Sequence, residues 1–267
     1  MENNYFKLRM SHKKFDFFIL LFLNILSIGY VLLTHKLFIG KALIAFIIFL
    51  IPFTIYLSKR EKKQWYKIFA SVLVFGGLFG FFFEFIQEFN KAYTVKSSLF
   101  PFKIFGILPL DNVLAHMLMT FFTMVFFEHF IGFKKSTISS RFKFIVLAAL
   151  SINIIMIFLF LLQPNVLKIP YSYLFLGVIA IIPPIYLSLQ EPTFIMRIAP
   201  ASYYFFFLYF ILELLAVKFS WWVYPNSAYI GWVEVGRLRF PFEELFFWMI
   251  FYAPALISYR ILFLEKR

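Results

Sequence analysis

The chain carries, at residues 109–132, the stretch PLDNVLAHMLMTFFTMVFFEHFIG, in which an aspartate and an asparagine precede about twenty mostly apolar residues. Residues 241–263, 132 positions further on, read PFEELFFWMIFYAPALISYRILF and repeat the pattern with two glutamates. About 20 apolar residues in a helix cross the hydrocarbon core of a bilayer, and proline is favoured at the first helical position. Both stretches therefore predict a membrane helix that begins with a proline followed by carboxyl or carboxamide side chains.

The composition extends this interpretation to the whole chain. Of 267 residues, 63% are hydrophobic and 43 are phenylalanine, which is more apolar surface than a soluble core of this size buries. We therefore predict an all-α, polytopic membrane helical bundle. With no cysteine and four scattered histidines, the sequence predicts no disulfide, no metal site and no cofactor. The basic N-terminus leads into an apolar run too long for a signal peptide, so we expect a retained first helix.

The apolar runs predict eight membrane helices in one membrane domain, residues 1–267. The predicted helices are, approximately, residues 15–33, 37–57, 67–88, 108–132, 142–163, 170–188, 200–218 and 241–263. Shifting the first four by 132 positions brings them onto the last four within a few residues. We therefore predict two four-helix repeats, at about 15–132 and 142–265. Regular spacing in any bundle with short loops is the alternative explanation.

The basic residues predict the orientation of the bundle. With a cytoplasmic N-terminus, 17 of the 26 lysines and arginines face the cytoplasm, as the positive-inside rule requires. We therefore predict an integral protein of a bacterial inner membrane with both termini in the cytoplasm. The loops at 89–107 and 219–240 then lie together on the outer side. The net charge of +13 is explained by anionic lipid headgroups, and nucleic acid is not an expected partner.

Carboxyl side chains within the predicted helices mark the candidate site, because a charge in hydrocarbon is costly and usually faces a protein interior. They are Glu84, Glu88, Asp111, Glu213, Glu243 and Glu244. All six lie near the outer ends of their helices, so we expect them to converge on one central pocket. The second outer loop is aromatic and includes Trp222 and Tyr224, which suits an interfacial belt or a lid over that pocket.

Two explanations fit the adjacent Glu243 and Glu244. Carboxylates in the first turn of a helix accept free backbone N–H groups and complement the helix dipole. Two neighbouring acids in a low dielectric also oppose each other's ionisation, so one of them is expected to keep a proton that it can donate. In the first repeat Asn112 follows Asp111, so that site cannot share a proton between two acids.

These features resemble the fused form of the small membrane lycopene cyclases, whose two halves are separate subunits in some bacteria. The resemblance rests on the helix starts Pro241-Phe242-Glu243-Glu244-Leu245-Phe246-Phe247 and, more weakly, Pro109-Leu110-Asp111-Asn112, together with the aromatic loop and the repeat. It covers the whole chain in architecture. Where the family usually has a second paired acid, this chain has Asn112, followed by His116, a departure that also suits a divergent terpenoid cyclase.

The resemblance implies a carotenoid end-group cyclase, an isomerase that protonates a polyene double bond, closes a ring through a carbocation and removes a proton. Glu243 or Glu244 is then the acid, and Asp111 or the other glutamate is the base or a hydrogen-bond partner. The implied supporting or substrate-binding residues are Asn112, His116, Glu84, Glu88, Glu213, Trp222, Tyr224, Trp248 and Phe251. Expected partners are a hydrophobic polyene or isoprenoid, membrane lipid and other carotenoid-pathway enzymes.

The last helix adds a stripe to this site. Glu244, Trp248 and Phe251 lie at i, i+4 and i+7, on one face of an α-helix, where aromatic rings can stabilise a carbocation. Ordinary packing or lipid contact is the alternative explanation for that stripe.

Other membrane functions fit less well. A prenyltransferase needs aspartate-rich magnesium motifs, which this chain lacks, and a CAAX-type protease needs EExxxR, whereas Trp248 occupies the arginine position. A non-catalytic binder or transporter of an isoprenoid or other lipid stays open, with the acids as caps or a proton relay.

Overall fold

The computed structural model describes residues 2–34, 42–60, 65–96, 98–132, 138–225 and 228–265. It is an all-α polytopic bundle, as predicted. Its helices are α1 (Glu2–Thr34), α2 (Ala42–Arg60), α3 (Trp65–Phe89), α4 (Leu110–Ile131), α5 (Phe142–Leu162), α6 (Ser172–Gln190), α7 (Thr193–Lys218) and α8, which consists of Glu244–Ile250 and Tyr252–Leu264. Among these described residues, seven helices are long and apolar enough to cross a membrane, and α8 is an eighth if its two segments form one span.

Most predicted helix limits are within a few residues of those observed. The beginning of the second predicted helix, residues 37–41, lies outside the described residues. The starts predicted at residues 15 and 200 are wrong, because α1 begins at Glu2 and α7 begins at Thr193. Pro200 lies inside α7. Proline is tolerated within membrane helices, where neighbouring groups satisfy the backbone carbonyl that it leaves free.

The prolines thought to begin two helices instead end strands. Pro109 is the last residue of a strand and the residue before α4, with ψ of 135°. Pro241 ends a strand before α8. The fixed φ of proline suits an extended strand as well as the first turn of a helix. The sequence alone therefore did not show whether these prolines end a strand or begin a helix. The first segment of α8 is π-helical, and the helix bends by 49° between its two segments.

The two loops at the α3–α4 and α7–α8 junctions contain six short strands that the helical pattern did not predict. They are β1 (Thr94–Val95), β2 (Lys103–Ile104), β3 (Leu108–Pro109), β4 (Trp222–Val223), β5 (Trp232–Val235) and β6 (Leu238–Pro241). Strands β2 and β3 form one antiparallel hairpin, and β5 and β6 form another. Strand β1 pairs with β4, so both loops lie at the same end of the bundle. The Tyr229 hydroxyl also donates to the Ala92 carbonyl, at 2.5 Å.

Helix α4 lies at the centre of the bundle, whereas α1 and α5 lie at its surface. In the most apolar window of α4, 67% of residues are buried, compared with 17% in α1 and 22% in α5. Gly76 on α3 allows close contact with α4, because a Cβ atom there would lie 2.9 Å from Met117 Cα. Small residues let membrane helices approach in this way. The end of α3 and the start of α4 therefore face each other closely beneath the two loops.

The opposite end of the bundle holds buried charges that the sequence analysis did not single out. The fully buried Arg260 on α8 forms an ion pair with Glu128 on α4. Asp16 on α1 accepts hydrogen bonds from Tyr56 at 2.6 Å and from His129 at 2.9 Å, with the His129 ring nitrogen as donor. These contacts connect α1, α2, α4 and α8. They lie far from the two loops, because Glu128 and His129 are at the end of α4 and the first loop adjoins its start.

Candidate functional site

A cavity of about 150 Å³ lies beneath the two loops, bounded by α2, α3, α4, α6 and α8. Most of its wall is apolar, and eight of the aromatic side chains in that wall are Phe46, Phe75, Phe79, Phe83, Phe247, Trp248, Tyr252 and Tyr259. Three carboxyl side chains, Glu84, Asp111 and Glu244, also face it. Among the described residues, no lysine or arginine lines the cavity. Acidic groups are thus set into an aromatic surface, and His116 is the basic side chain beside them among the described residues.

Glu244 reaches this cavity from the first turn of α8. Its side chain is only 5% exposed. The hydroxyl of Tyr173, at the start of α6, donates to Glu244 Oε2. One carboxyl oxygen is therefore held by a neutral donor, and the side chain lies in the cavity wall.

Glu84 approaches the same cavity from α3. Its Oε1 lies 3.4 Å from Nδ1 of His116 on α4, and its Oε2 accepts a hydrogen bond from the Tyr93 hydroxyl. Gly80 makes room for the imidazole, because a Cβ atom at this position would lie 2.6 Å from His116 Cδ2. Burial and the carboxylates of Glu84 and Glu88 raise the pKa of Tyr93 well above its ordinary value, so Tyr93 remains a neutral donor.

Asp111 and Asn112, at the start of α4, differ in their partners. The Asp111 carboxylate accepts two backbone N–H groups of the preceding loop, from Leu99 at 2.5 Å and from Phe100 at 3.1 Å. The Asn112 amide donates to Glu88 Oε1 at 3.2 Å and to the Tyr93 hydroxyl at 3.1 Å. Asp111 therefore holds the loop, and Asn112 joins the polar groups at the end of α3.

Glu243 lies beside Glu244 in sequence but has a different environment. Its side chain is fully buried, and its Oε1 accepts the backbone N–H of Ile230 at 2.7 Å. It does not belong to the cavity wall. Consecutive residues along a helical backbone point in different directions, which separates the two carboxyl groups. Glu243 thus contacts the loop, whereas Glu244 lies in the cavity wall.

Glu213, near the end of α7, lies behind the cavity wall rather than in it. Its carboxylate accepts a hydrogen bond from the Tyr224 hydroxyl at 2.8 Å and from Trp222 Nε1 at 3.1 Å. Both donors line the cavity. Burial and the Glu213 carboxylate raise the pKa of Tyr224 well above its ordinary value. The aromatic residues of the second loop therefore form an inner wall, not only an interfacial belt.

The structure brings together most of the side chains singled out from sequence. Those in the cavity wall are Glu84, Asp111, Asn112, His116, Trp222, Tyr224, Glu244 and Trp248, whereas Glu88, Glu213, Glu243 and Phe251 lie outside it. The expectation for Phe251 is wrong because the first segment of α8 is π-helical and holds more residues per turn than an α-helix. Tyr252, not Phe251, joins Glu244 and Trp248 in the wall.

Sequence reasoning also missed several contributors. Tyr93 and Tyr173 supply the hydrogen bonds to the two cavity glutamates, and nothing in the pattern separated them from the other tyrosines, 15 in all. Gly177 on α6 was missed too. A Cβ atom at Gly177 would lie 2.2 Å from the Phe247 ring, so this glycine lets α6 approach α8 at the cavity.

Comparison of the chain with models of known protein families, with curated proteins and with solved structures found no match in any of the three. Inference of function therefore rests on the chemistry of the cavity.

Proposed function

We propose that this protein is an intramembrane cyclase that isomerises the end of an isoprenoid polyene, as the lycopene cyclases that it resembles do. The observation that carries the proposal is the placement of Glu244 and a second carboxyl group, Glu84, in the wall of one aromatic cavity. Cyclising a polyene end needs a proton donor, a surface that tolerates a carbocation and a proton acceptor. The cavity offers a candidate for each.

Glu244 is the proposed proton donor. Its proton passes to one carbon of a terminal double bond, whose π electrons form the new C–H bond and leave a cation on the other carbon. The Tyr173 hydroxyl on Oε2 fixes the orientation of the carboxyl group, which matters because proton transfer requires the donor within hydrogen-bond reach of the reacting atom. This assignment narrows the earlier choice between Glu243 and Glu244, because Glu243 bonds the Ile230 backbone instead.

Glu84 and His116 are the proposed proton acceptor. A second double bond attacks the cation and forms the ring C–C bond, and the resulting ring cation loses a neighbouring proton to the Glu84–His116 pair. The product is an isomer of the substrate, since one proton is added and one is removed. Return of that proton to Glu244 completes the cycle. Asp111, the earlier candidate for this role, has both oxygens engaged by loop N–H groups, so we assign it to holding the loop.

The walls of the cavity suit a short-lived cation. The ring faces of aromatic side chains attract cations, and Phe79, Trp248 and Tyr252 surround the acidic groups. The volume of about 150 Å³ is the size of an apolar cavity that holds one benzene-sized ring. The cavity is thus of the size of a single ring, so in this proposal it receives only the end of a long substrate, and the rest of the substrate lies outside it.

The test is product formation in cells that make a linear carotene. We expect membranes that contain the wild-type protein to yield a cyclised product with the mass of the substrate. Glu244→Gln keeps the shape but carries no transferable proton, so it should lower the yield at least a hundredfold. Glu213→Gln is the matched control, because it removes an equally buried, hydrogen-bonded carboxyl group that does not line the cavity.

Unchanged product yield in Glu244→Gln, at equal protein level, would refute the acid assignment. Equal losses in Glu244→Gln and Glu213→Gln would attribute the effect to folding instead. A wild-type protein that retains the carotene on purification but leaves it linear would support the alternative function, a non-catalytic isoprenoid binder, which the apolar lining of the cavity also suits.

A further inference from the structure

A second concave surface lies at the opposite end of the bundle from the cavity. It is a groove of about 690 Å³ between the first half of α1, the start of α7 and the end of α4. Its lining residues are Lys13, Lys14, Phe17, Phe18, Phe130, Ile131, Arg197 and Pro200. On α4 the cavity lining ends at Met119 and the groove lining begins at Phe130, so roughly 16 Å of helix separates the two. The groove thus takes no part in the proposed chemistry.

Aromatic contacts limit the groove on its inner side. The Phe17 ring meets the edge of Tyr204 on α7 at 5.9 Å and the edge of Phe130 on α4 at 6.1 Å. Asn24, further along α1, donates to the Tyr204 hydroxyl at 3.0 Å. Helices α1 and α7 therefore touch on the inner side of the groove.

Positive charge is concentrated at the mouth of this groove. Lys14 is exposed, Lys13 donates to the Phe130 carbonyl at 3.1 Å, and Arg197 forms an ion pair with Glu191. With Glu191 counted, these groups still carry two net positive charges. Beside them, 67% of the Phe18 surface is exposed. A cationic rim thus borders an apolar surface beside the start of α7.

We infer that this groove binds one anionic phospholipid. The headgroup phosphate would lie against Lys13, Lys14 and Arg197, and an acyl chain would lie along Phe17 and Phe18. Basic pockets between membrane helices recognise anionic headgroups, because each lysine or arginine near the bilayer surface attracts negative charge. Only a lipid of this class matches both surfaces: free phosphate matches the rim alone, and a neutral phospholipid lacks the net negative charge.

The inference can be tested on the purified full chain in detergent, by counting bound lipid with native mass spectrometry. The probes are phosphatidylglycerol, phosphatidylcholine with the same acyl chains, and inorganic phosphate. We expect one phosphatidylglycerol to bind in preference to phosphatidylcholine. Removing each cation should weaken binding about fivefold, so Lys14→Gln should show one such step and Lys14→Gln with Arg197→Gln two.

Lys143→Gln is the matched control. Lys143 is an exposed lysine at the start of α5, at the same end of the bundle, and its ammonium lies 5.1 Å from the Phe144 ring centre. Like Lys14, Lys143 is a charged side chain at this end of the bundle with an aromatic neighbour, but it does not line the groove. Its replacement should therefore leave lipid binding unchanged. An equal loss in Lys143→Gln, equal binding of the two lipids, or displacement of the lipid by inorganic phosphate alone would overturn the inference. Because Lys14 is exposed, its variant tests the site without removing a packing contact.

Discussion

Asp111, in the first turn of α4, and Glu243, the residue before α8, have the same role in the two halves of the molecule. Each carboxylate accepts backbone N–H groups from the loop that precedes its helix, at Leu99 and Phe100 in the first half and at Ile230 in the second. The halves differ at the next position. Asn112 in the first half donates its amide to neighbouring side chains, whereas Glu244 in the second accepts the Tyr173 hydroxyl. The first acid of each pair supports the loop, and only the second position differs chemically.

A related difference concerns the acids that end the preceding helices. Glu84 lies in the cavity wall, where Tyr93 donates to it, whereas Glu213 lies behind Trp222 and Tyr224. Thr120 and Tyr252, 132 residues apart, meet across the halves with their hydroxyls 3.3 Å apart. These correspondences support the predicted repeat, which stays a prediction. They show that Glu84 from the first half and Glu244 from the second line a single cavity.

Exchanging the differing residues should produce the largest effect. Glu244→Asn gives the second half the side chain of the first, and we expect product formation to fall at least a hundredfold, because no general acid remains. Asn112→Glu makes the opposite change and should not restore activity to Glu244→Asn. The measurement is cyclised carotene per unit of membrane protein. Restored activity in the double variant would show that the two positions are interchangeable, and our comparison of the halves would fail.

Glu84→Gln should have the next largest effect. It removes the proposed acceptor in the first half while leaving the Tyr93 hydrogen bond possible, and we expect a tenfold to hundredfold loss, since His116 remains as a partial substitute. Glu84→Gln combined with His116→Gln should be more severe than either change alone. Reaction in deuterated water tests the assignment of Glu84 as proton acceptor. Impaired removal of the ring proton should change which product isomers carry deuterium. An unchanged product pattern at reduced yield would leave Glu84 with a structural role only.

The two glycines beside the reactive groups provide a smaller test. A Cβ atom at Gly177 would lie 2.2 Å from the Phe247 ring, and one at Gly80 would lie 2.6 Å from His116 Cδ2. Gly177→Ala should narrow the second half of the cavity, and Gly80→Ala should displace the imidazole in the first. We expect losses of several-fold, measured as product yield at equal protein level. Gly29→Ala is the control, because nothing lies within 4 Å of a Cβ atom there; an equal loss in that variant would contradict the packing explanation.

The loop-holding acids should affect stability more than chemistry. Asp111→Asn weakens charge-assisted bonds to two N–H groups, whereas Glu243→Gln weakens the bond to one. Hydrogen bonds to charged groups contribute roughly 1.5–3 kcal/mol each, so Asp111→Asn should lower the thermal unfolding midpoint in detergent more than Glu243→Gln. Near-normal product yield at low temperature should accompany both. If Asp111→Asn is instead as inactive as Glu244→Asn, the two halves contribute jointly to catalysis.

The smallest expected effect is on alkaline stability. Burial and neighbouring carboxylates raise the pKa of Tyr93 in the first half and of Tyr224 in the second above their ordinary value of 10.0. Above pH 10 the unfolded chain loses both hydroxyl protons, whereas the folded protein keeps them. The contribution of these two hydroxyl groups to the free energy of unfolding is therefore complete below pH 10 and is lost as the pH rises above it. Tyr93→Phe and Tyr224→Phe should each flatten the fall of the unfolding midpoint between pH 10 and 11. Identical slopes in wild type and both variants would contradict this.

Length and hydropathy were sufficient to predict the bundle, because about 20 apolar residues have few alternatives to a membrane helix. The acids were also identifiable, since Glu84 and Glu244 stand out in an apolar background. Which acids face the cavity and which hold a loop could not be predicted, because this depends on the direction in which each of two neighbouring side chains points. Phe251 was misassigned because a π-helical turn is a tertiary feature with no evident signal in the apolar pattern.

The pairing of β1 with β4 has a consequence for the order in which the chain assembles. Tyr229 and Ala92, joined by a hydrogen bond beside this strand pair, are separated by 137 residues. Contacts between distant residues form late, because a long intervening chain must first be brought together. During synthesis, β1 in the first loop cannot pair until β4 has been made, and β4 follows the seven helices α1 to α7 in the chain. The cavity therefore becomes enclosed only near the end of translation, and a protein truncated before β4 would keep its apolar helices without an enclosed site.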